Sequence, residues 1–374
     1  MNAAGIIFSS LNDNTFSRLT SDRTVAAIPF ACRYRLIDFC LSNMVNANIS
    51  NISIVANYNY RSLIEHIGSG KDWDLARREK GINMISPFQT MSGSVGSVFS
   101  TKLEALKSMK EYIDEFKEEF VVLMDSHSIL NIDLNKVLAE HKLSGAAITL
   151  ITRRIGADFT SKTPKMLISS SNGRINDIVM ASSYNPKNPE LCLDIFIMKT
   201  SYLKKIIEEA DAYSLRSLTK ILLTGYKHAH YNTYCFEGFV ASVSGFSDYY
   251  KYSMELIKSE KARNSLLLKK EFPIFTRVYN SAPTIHRESA TIENSLIADE
   301  CIIEGTVINS VIFRGVHIGK GATVKNSILF HGTFVEDNAL LNCIVTDKNV
   351  HINNGTVLSG NKNIPFYIQK GRRV

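Results

Sequence analysis

After Pro283 one spacing recurs, and it leaves few folds open to this part of the chain. The pairs Asn294-Ser295, Asn309-Ser310, Asn326-Ser327 and Asn342-Cys343 follow one another at steps of 15, 17 and 16 residues, each trailed by aliphatic residues. In phase with them run Ile302, Ile318, Val335 and Ile352, spaced 16, 17 and 17 apart. Three residues after each stands Gly305, Gly321, Asn338 or Gly355, residue types that tolerate positive φ at a tight corner. Hexads of this aliphatic-x-x-Gly kind wind into a parallel β-helix, each coil burying its aliphatics against the next. Roughly four coils fit between Thr284 and Leu358. His317, His331 and His351 fall inside the repeat and read as outward-facing surface residues. The open ends of such a coil invite packing against the preceding domain or another subunit.

The residues before the repeat have a different texture. Short apolar runs at 5–8, 52–56, 120–124, 147–152, 193–198 and 239–243 alternate with amphipathic segments, the pattern of an α/β sheet with covering helices. Leu103, Leu106, Tyr112, Ile113, Phe116 and Phe120 mark one core-facing helical stripe, and Tyr202, Leu203, Ile206 and Ile207 another. The expected organisation is a first domain over 1–270, a linker over 271–283 and the coil with its tail over 284–374.

Composition narrows the class. A chain of 374 residues, 45% hydrophobic, buries a substantial core. No stretch approaches the roughly 18 uninterrupted apolar residues of a membrane helix. The start lacks a basic n-region and a long apolar run, so a cytoplasmic location is the expectation. The six cysteines form no C-x-x-C pair and read as reduced core thiols. The net charge of +7 is modest, and its one dense cluster, Lys370-Gly371-Arg372-Arg373, lacks the aromatic interleaving of a nucleic-acid site. Neither a nucleic acid nor a membrane is therefore an expected partner.

Motifs in the first half are specific. Leu19-Thr20-Ser21-Asp22-Arg23, Ala27-Ile28-Pro29-Phe30 and Arg33-Tyr34-Arg35-Leu36-Ile37-Asp38-Phe39-x-Leu41-Ser42-Asn43 resemble the N-terminal signature of ADP-glucose pyrophosphorylases (glucose-1-phosphate adenylyltransferases). Tyr58-x-x-x-Ser62-Leu63-Ile64-x-His66-Ile67-x-x-Gly70 looks like the family's next helix, and Gly93-Ser94-Val95-x-Ser97-Val98 like its nucleotide-facing segment. The resemblance implies a Rossmann-like nucleotidyltransferase domain with a mixed, mostly parallel sheet, followed by a left-handed parallel β-helix, assembled into tetramers for glycogen or starch synthesis.

Against that resemblance the chemistry is missing. An active enzyme wraps the triphosphate with bare backbone N–H groups of a Gly-rich loop. Here Ser9-Ser10-Leu11-Asn12-Asp13-Asn14 stands in its place, with Arg18 as the nearby cation. The vestigial nucleotide cleft would comprise Ser9, Ser10, Arg18, Gln89, Gly93 and Ser94. Nucleotidyl transfer also needs magnesium held by carboxylates. The resemblance puts Ser126, within Asp125-Ser126-His127, and Ser242 at the two metal positions. A phosphate-binding lysine is absent near Ile178 to Ser183, where Ser182 falls, and a sugar-contacting glycine appears as Asp194. Arg33, Arg35 and Lys71 fall on surfaces where the family binds effectors and nucleotides, and could take a phosphorylated metabolite.

These features together resemble the GlgD-type regulatory chain of two-gene bacterial ADP-glucose pyrophosphorylases. The expectation is a catalytically deficient subunit that joins a catalytic subunit in a hetero-oligomer, by the family's habit a tetramer, and modulates its effector response. It would hold no cofactor tightly, magnesium being used by the catalytic partner. One alternative is an active sugar-phosphate nucleotidyltransferase that recruits Asp125 or Asp248 to a rearranged metal site. Another is a hexapeptide acyltransferase using one of the coil histidines, which lack a visible acyl-donor groove.

Overall fold

The computed structural model describes residues 2–9, 11, 16, 18–76, 80–87, 98–156, 159–183 and 189–374. The chain forms two compact units. The first comprises Met1–Asn12, Phe39–Ser242 and Lys270–Phe275, and the second Asp13–Asp38, Val243–Lys269 and Thr276–Val374.

The first unit is built on a nine-stranded sheet. Its strands are β1 (Ala3–Phe8), β2 (Asn51–Val55), β3 (Gly81–Ile85), β4 (Phe120–Asp125), β5 (Ile148–Arg154), β6 (Thr160–Ser171), β7 (Arg174–Ser183), β8 (Glu190–Lys199) and β9 (Tyr231–Cys235). They lie in the order β3-β2-β1-β4-β8-β5-β9-β7-β6. The strands from β3 to β4 in that order run parallel, as do β5 and β9, whereas β8 is antiparallel to both β4 and β5. Central parallel strands are covered on both faces and need apolar residues on both; β1 and β4 are buried at every position.

The helical stripe read from Leu103 to Phe120 is not one helix. It divides into Lys102–Ser108 and Lys110–Asp114 at Met109, and Phe120 opens β4. The helix Thr200–Ala212 buries Leu203, Ile206, Ile207 and Ala210. The run at 239–243 forms the short strand Val240–Ser242, which pairs with Ser128–Leu130 outside the main sheet.

In the second unit the repeat forms a left-handed parallel β-helix with three faces, each a five-stranded parallel ladder of two- or three-residue strands. Ile303, Ile318, Val335 and Ile352 form its inward row on one face, all buried. Ile302 instead pairs with His317 on the outward row, so the sequence spacing misplaces the first coil by one residue. That coil is shorter than the others. Gly305 does not take positive φ; a Cβ there would meet the Ala322 carbonyl oxygen at 2.3 Å, so it permits close approach of backbones. Gly321, Asn338 and Gly355 do turn with φ of 73°, 57° and 68°.

A second corner uses Asn294, Asn309, Asn326 and Cys343, with φ between 41° and 55°. The fourth member is Cys343 and not Asn342, so a cysteine occupies a backbone position suited to asparagine. Beside this corner a serine ladder threads the coils: Ser310 N donates to Ser295 Oγ, Ser327 N to Ser310 Oγ and Ile344 N to Ser327 Oγ, at 3.0–3.1 Å. The third corner is Glu300, Gly315, Gly332 and Asn349, φ 61°, 67°, 69° and 57°. A left-handed conformation costs a residue with a Cβ about 1–2 kcal/mol, and Glu300 is exposed. Glu300→Gly should therefore stabilise the coil by about 1 kcal/mol, seen as a higher midpoint in thermal unfolding.

Two segments that precede the repeat in the chain pack on it. Tyr249, on the helix Phe246–Lys258, sets its ring edge-on to Phe30 and Phe330, both at 6.2 Å, and its hydroxyl donates to the Pro29 carbonyl at 2.7 Å. Tyr250 donates to Asn326 O at 2.6 Å. Arg23 Nη2 meets Asp347 Oδ1 at 2.7 Å, both side chains buried. Aromatic area of this kind holds a segment more firmly than chain order does, and the division expected at 270 does not coincide with these units. Among the described residues no helix is long and apolar enough to cross a membrane.

Candidate functional site

The carboxyl end of β4 and the middle of the antiparallel β8 carry a cluster of charged groups. Phe8 pairs with Asp125 across β1 and β4, and Ser126 N donates to Phe8 O at 3.0 Å. Adjacent residues at a strand end point to opposite sides. Asp125 accordingly turns into a cavity of about 260 Å³ whose walls include Leu11, Thr101, His127, Asp194 and Leu218. Ser126 turns the other way and is fully buried, its hydroxyl without a hydrogen-bond partner. On β8, Ile195 pairs with Met124, and the ladder to β5 slips between Cys192 and Phe196. Asp194 sits in that slip with φ of 55°, a conformation glycine adopts without strain.

Lys102 enters the same cavity from the first turn of its helix. Thr101 caps that helix by accepting from Glu104 N at 3.1 Å, and the Glu104 carboxylate accepts from Ser100 N, one residue before the cap, at 2.8 Å. The four charged side chains close a ring. Lys102 Nζ lies 3.0 Å from Asp125 Oδ2 and 3.6 Å from Asp194 Oδ1. His127 Nδ1 lies 2.5 Å from Asp125 Oδ1, and its Nε2 3.3 Å from Asp194 Oδ2.

Each group's titration follows from its partners. Burial alone would raise the Asp125 pKa, but His127 and Lys102 bring it down to about 2. Burial alone would lower that of His127, but Asp125 and then Asp194 lift it to about 9. Lys102 is pushed above the usual lysine range and Asp194 below the usual carboxylate range, in both cases against burial. Two cations thus neutralise two carboxylates, and the ring carries no net charge at neutral pH.

The residues singled out in the sequence distribute unevenly about this ring. Asp194 is part of it. Ser9 is buried at the end of β1 with its hydroxyl unpartnered, and its N–H donates to Val55 O. Ser242, half-buried, stands opposite Ser128, whose own hydroxyl is buried and unpartnered. Ser182 is exposed near the end of β7. Ser10, Gln89, Gly93 and Ser94 lie outside the described residues. Arg18 stacks over the Phe246 ring at 5.3 Å in the second unit. There too Asp248 accepts from Ser244 N at 3.1 Å at the start of its helix.

These residues do not fit a magnesium ion at the positions of Ser126 and Ser242. A neutral hydroxyl is a poor ligand for a hard cation, and the nearest carboxylate, Asp125, is already matched by Lys102 and His127.

The second unit gathers cations that sequence spacing did not connect. Burial, and then Arg35 and Arg23, push the Lys348 ammonium down to about 8, with Asp347 opposing. Lys370 adds to the same field and meets Asp22 at 3.4 Å. Arg33 is exposed and lies over the Tyr34 ring at 5.7 Å, while Lys71 belongs to the first unit. Arg23 and Lys348 are 325 positions apart, which is why only the fold reveals them as neighbours.

Comparison with known proteins agrees with this architecture. Residues 14–162 match the nucleotidyl transferase family and residues 281–363 the GlmU-like C-terminal hexapeptide family. The chain is 30% identical over 370 residues to the glycogen biosynthesis protein GlgD of Bacillus subtilis, covering 98% of this chain and 95% of that protein. It is 32% identical over 371 residues to the GlgD of Geobacillus stearothermophilus, covering 98% and 96%. A glucose-1-phosphate adenylyltransferase of Fervidobacterium nodosum is 28% identical over 361 residues, covering 95% and 85%. With a nucleotidyl transferase-like sheet, a hexapeptide coil and near full-length similarity to these relatives, the chain belongs to the GlgD family of glycogen biosynthesis proteins.

Proposed function

We propose that this chain is a non-catalytic or very weakly active regulatory subunit of glucose-1-phosphate adenylyltransferase. It joins a catalytic subunit and modulates formation of ADP-glucose and diphosphate from ATP and glucose 1-phosphate, in glycogen biosynthesis. The observation that carries this reading is the self-neutralised ring of Lys102, Asp125, His127 and Asp194, together with hydroxyl residues at Ser126 and Ser242. Among the described residues no group of carboxylates is placed to hold a metal, and loss of such charge stabilisation lowers rates by orders of magnitude.

A phosphorylated metabolite acting as effector would find its charge matched in the second unit, where Arg35 and Lys348 stand close to Arg23. Anions on such a cluster raise the charge on Lys348 that burial now disfavours. This supports binding at Arg35 in preference to Lys71.

Turnover of ATP and glucose 1-phosphate decides the matter. The pure chain should turn over at least about a thousandfold more slowly than a catalytic homologue. Adding it to that homologue should alter activity and effector response. Brisk turnover by the pure chain, or a mixture no different from the homologue alone, overturns the reading.

A further inference from the structure

We propose that Lys348 is a modification site, an amine that takes up dissolved carbon dioxide as a carbamate stabilised by Arg23, Arg35 and Lys370. The inference goes beyond the regulatory reading and does not rest on it.

Lys348 is half-buried, and among the described residues its Nζ has no ion-pair or hydrogen-bond partner. The carboxylate beside it is already engaged. Asp347 Oδ1 accepts from Arg23 Nη2 at 2.7 Å and from the Lys348 backbone N–H at 2.6 Å, and its Oδ2 accepts from the Tyr367 hydroxyl at 2.6 Å. Lys370 is turned to Asp22. Arg35, Arg23 and Lys370 act against the Lys348 ammonium, and Asp347 acts for it. Burial and these cations hold it at about 8, so roughly a tenth is uncharged at pH 7, against about one part in 3,000 for a lysine at 10.5.

An uncharged lysine amine is a nucleophile. Its lone pair attacks the carbon of carbon dioxide; the nitrogen–carbon bond forms, one carbon–oxygen π pair moves onto oxygen, and the nitrogen gives its proton to water. The side chain thereby changes from a cation to an anion. The three cations that disfavour the ammonium favour the carbamate. Arg23 Nη1, buried without a hydrogen-bond partner, adds an unused donor to this cluster. An acyl group would leave the nitrogen neutral and an imine would leave it basic, so neither draws on the same charges.

The pure, unaltered chain in ¹³C-labelled bicarbonate at neutral pH, without nucleotide or catalytic homologue, should show a carbamate carbon resonance. Alkylating the carbamate oxygens with an oxonium salt and mapping peptides by mass should place it on Lys348, at least about tenfold above any other lysine. Lys348→Met should lose the resonance, and Arg35→Gln, which removes one stabilising cation, should weaken it severalfold. No trapped carbamate, one spread evenly over the lysines, or an undiminished resonance in folded Lys348→Met or Arg35→Gln overturns the proposal.

Discussion

Replacing Asp347 with alanine should destabilise the second unit by about 3–5 kcal/mol, the cost of leaving a buried charge without its partner. Arg23 and Asp347 are 3% and 1% exposed and meet at 2.7 Å. Asp347 accepts from the Tyr367 hydroxyl and from Lys348 N, both at 2.6 Å, so one carboxylate satisfies three donors. Arg23 lies over the Phe330 ring at 6.0 Å, and its Nη1 is buried without a hydrogen-bond partner. With the carboxylate gone the buried guanidinium loses its counter-charge. Removing both charges together is a different experiment. Apolar side chains of similar volume replace a buried ion pair at little cost, so Arg23→Met with Asp347→Leu should recover most of the loss. Calorimetric melting should place the single variant roughly 10 °C below the unaltered chain and the double variant between them. A single variant that melts within a degree or two of the unaltered chain would show that this pair does not hold the segment at Arg23 to the coil.

That pair also marks where the sequence stops being informative. The coil is legible because its period writes the same contact several times over; an error at one step is corrected at the next. Even so, Ile302 and Asn342 each slip by one residue, since the first coil is shorter and Cys343 takes the asparagine corner. The central strands are legible because both faces of β1 and β4 are buried, which leaves unbroken apolar runs. The polar hairpin of β6 and β7 has no such run. The ring is illegible for another reason: Lys102, the Asp125–His127 run and Asp194 come from three separate stretches of the chain. Taken singly, Asp194 looks like a defect where glycine belongs and Lys102 like a surface lysine. Only the antiparallel register of β8 on β4, Ile195 opposite Met124, brings Asp194 to Asp125 and joins two isolated charges into half of a neutral set.

The ring also predicts how stability depends on pH. His127 rises from 6.5 to about 9 on folding, so its contribution is full below pH 6.5 and is lost as pH climbs through about 9. Asp125 falls from 3.8 to about 2, so its contribution is full above pH 3.8 and is lost as pH drops through about 2. Between roughly pH 4 and 6.5 both are present, and from there to pH 9 the His127 share, on the order of 2–3 kcal/mol, should drain away. Lys102 stays charged across this window, and Lys165 and Cys192 face Asp194 as well. Lys348 runs in the opposite sense: its folded value of about 8 lies below 10.5, so its burial favours the folded state increasingly as pH rises. The raw profile therefore mixes opposing slopes, and the informative quantity is the difference from His127→Gln. Glutamine keeps an amide NH2 donor for a carboxylate but cannot titrate. The gap in unfolding free energy between the two proteins should be widest near pH 5–6 and close by about pH 9 to 10, whatever Lys348 contributes to both. A gap that stays constant across that range would mean that His127 holds the carboxylates as a neutral donor, and that Lys102 alone balances them.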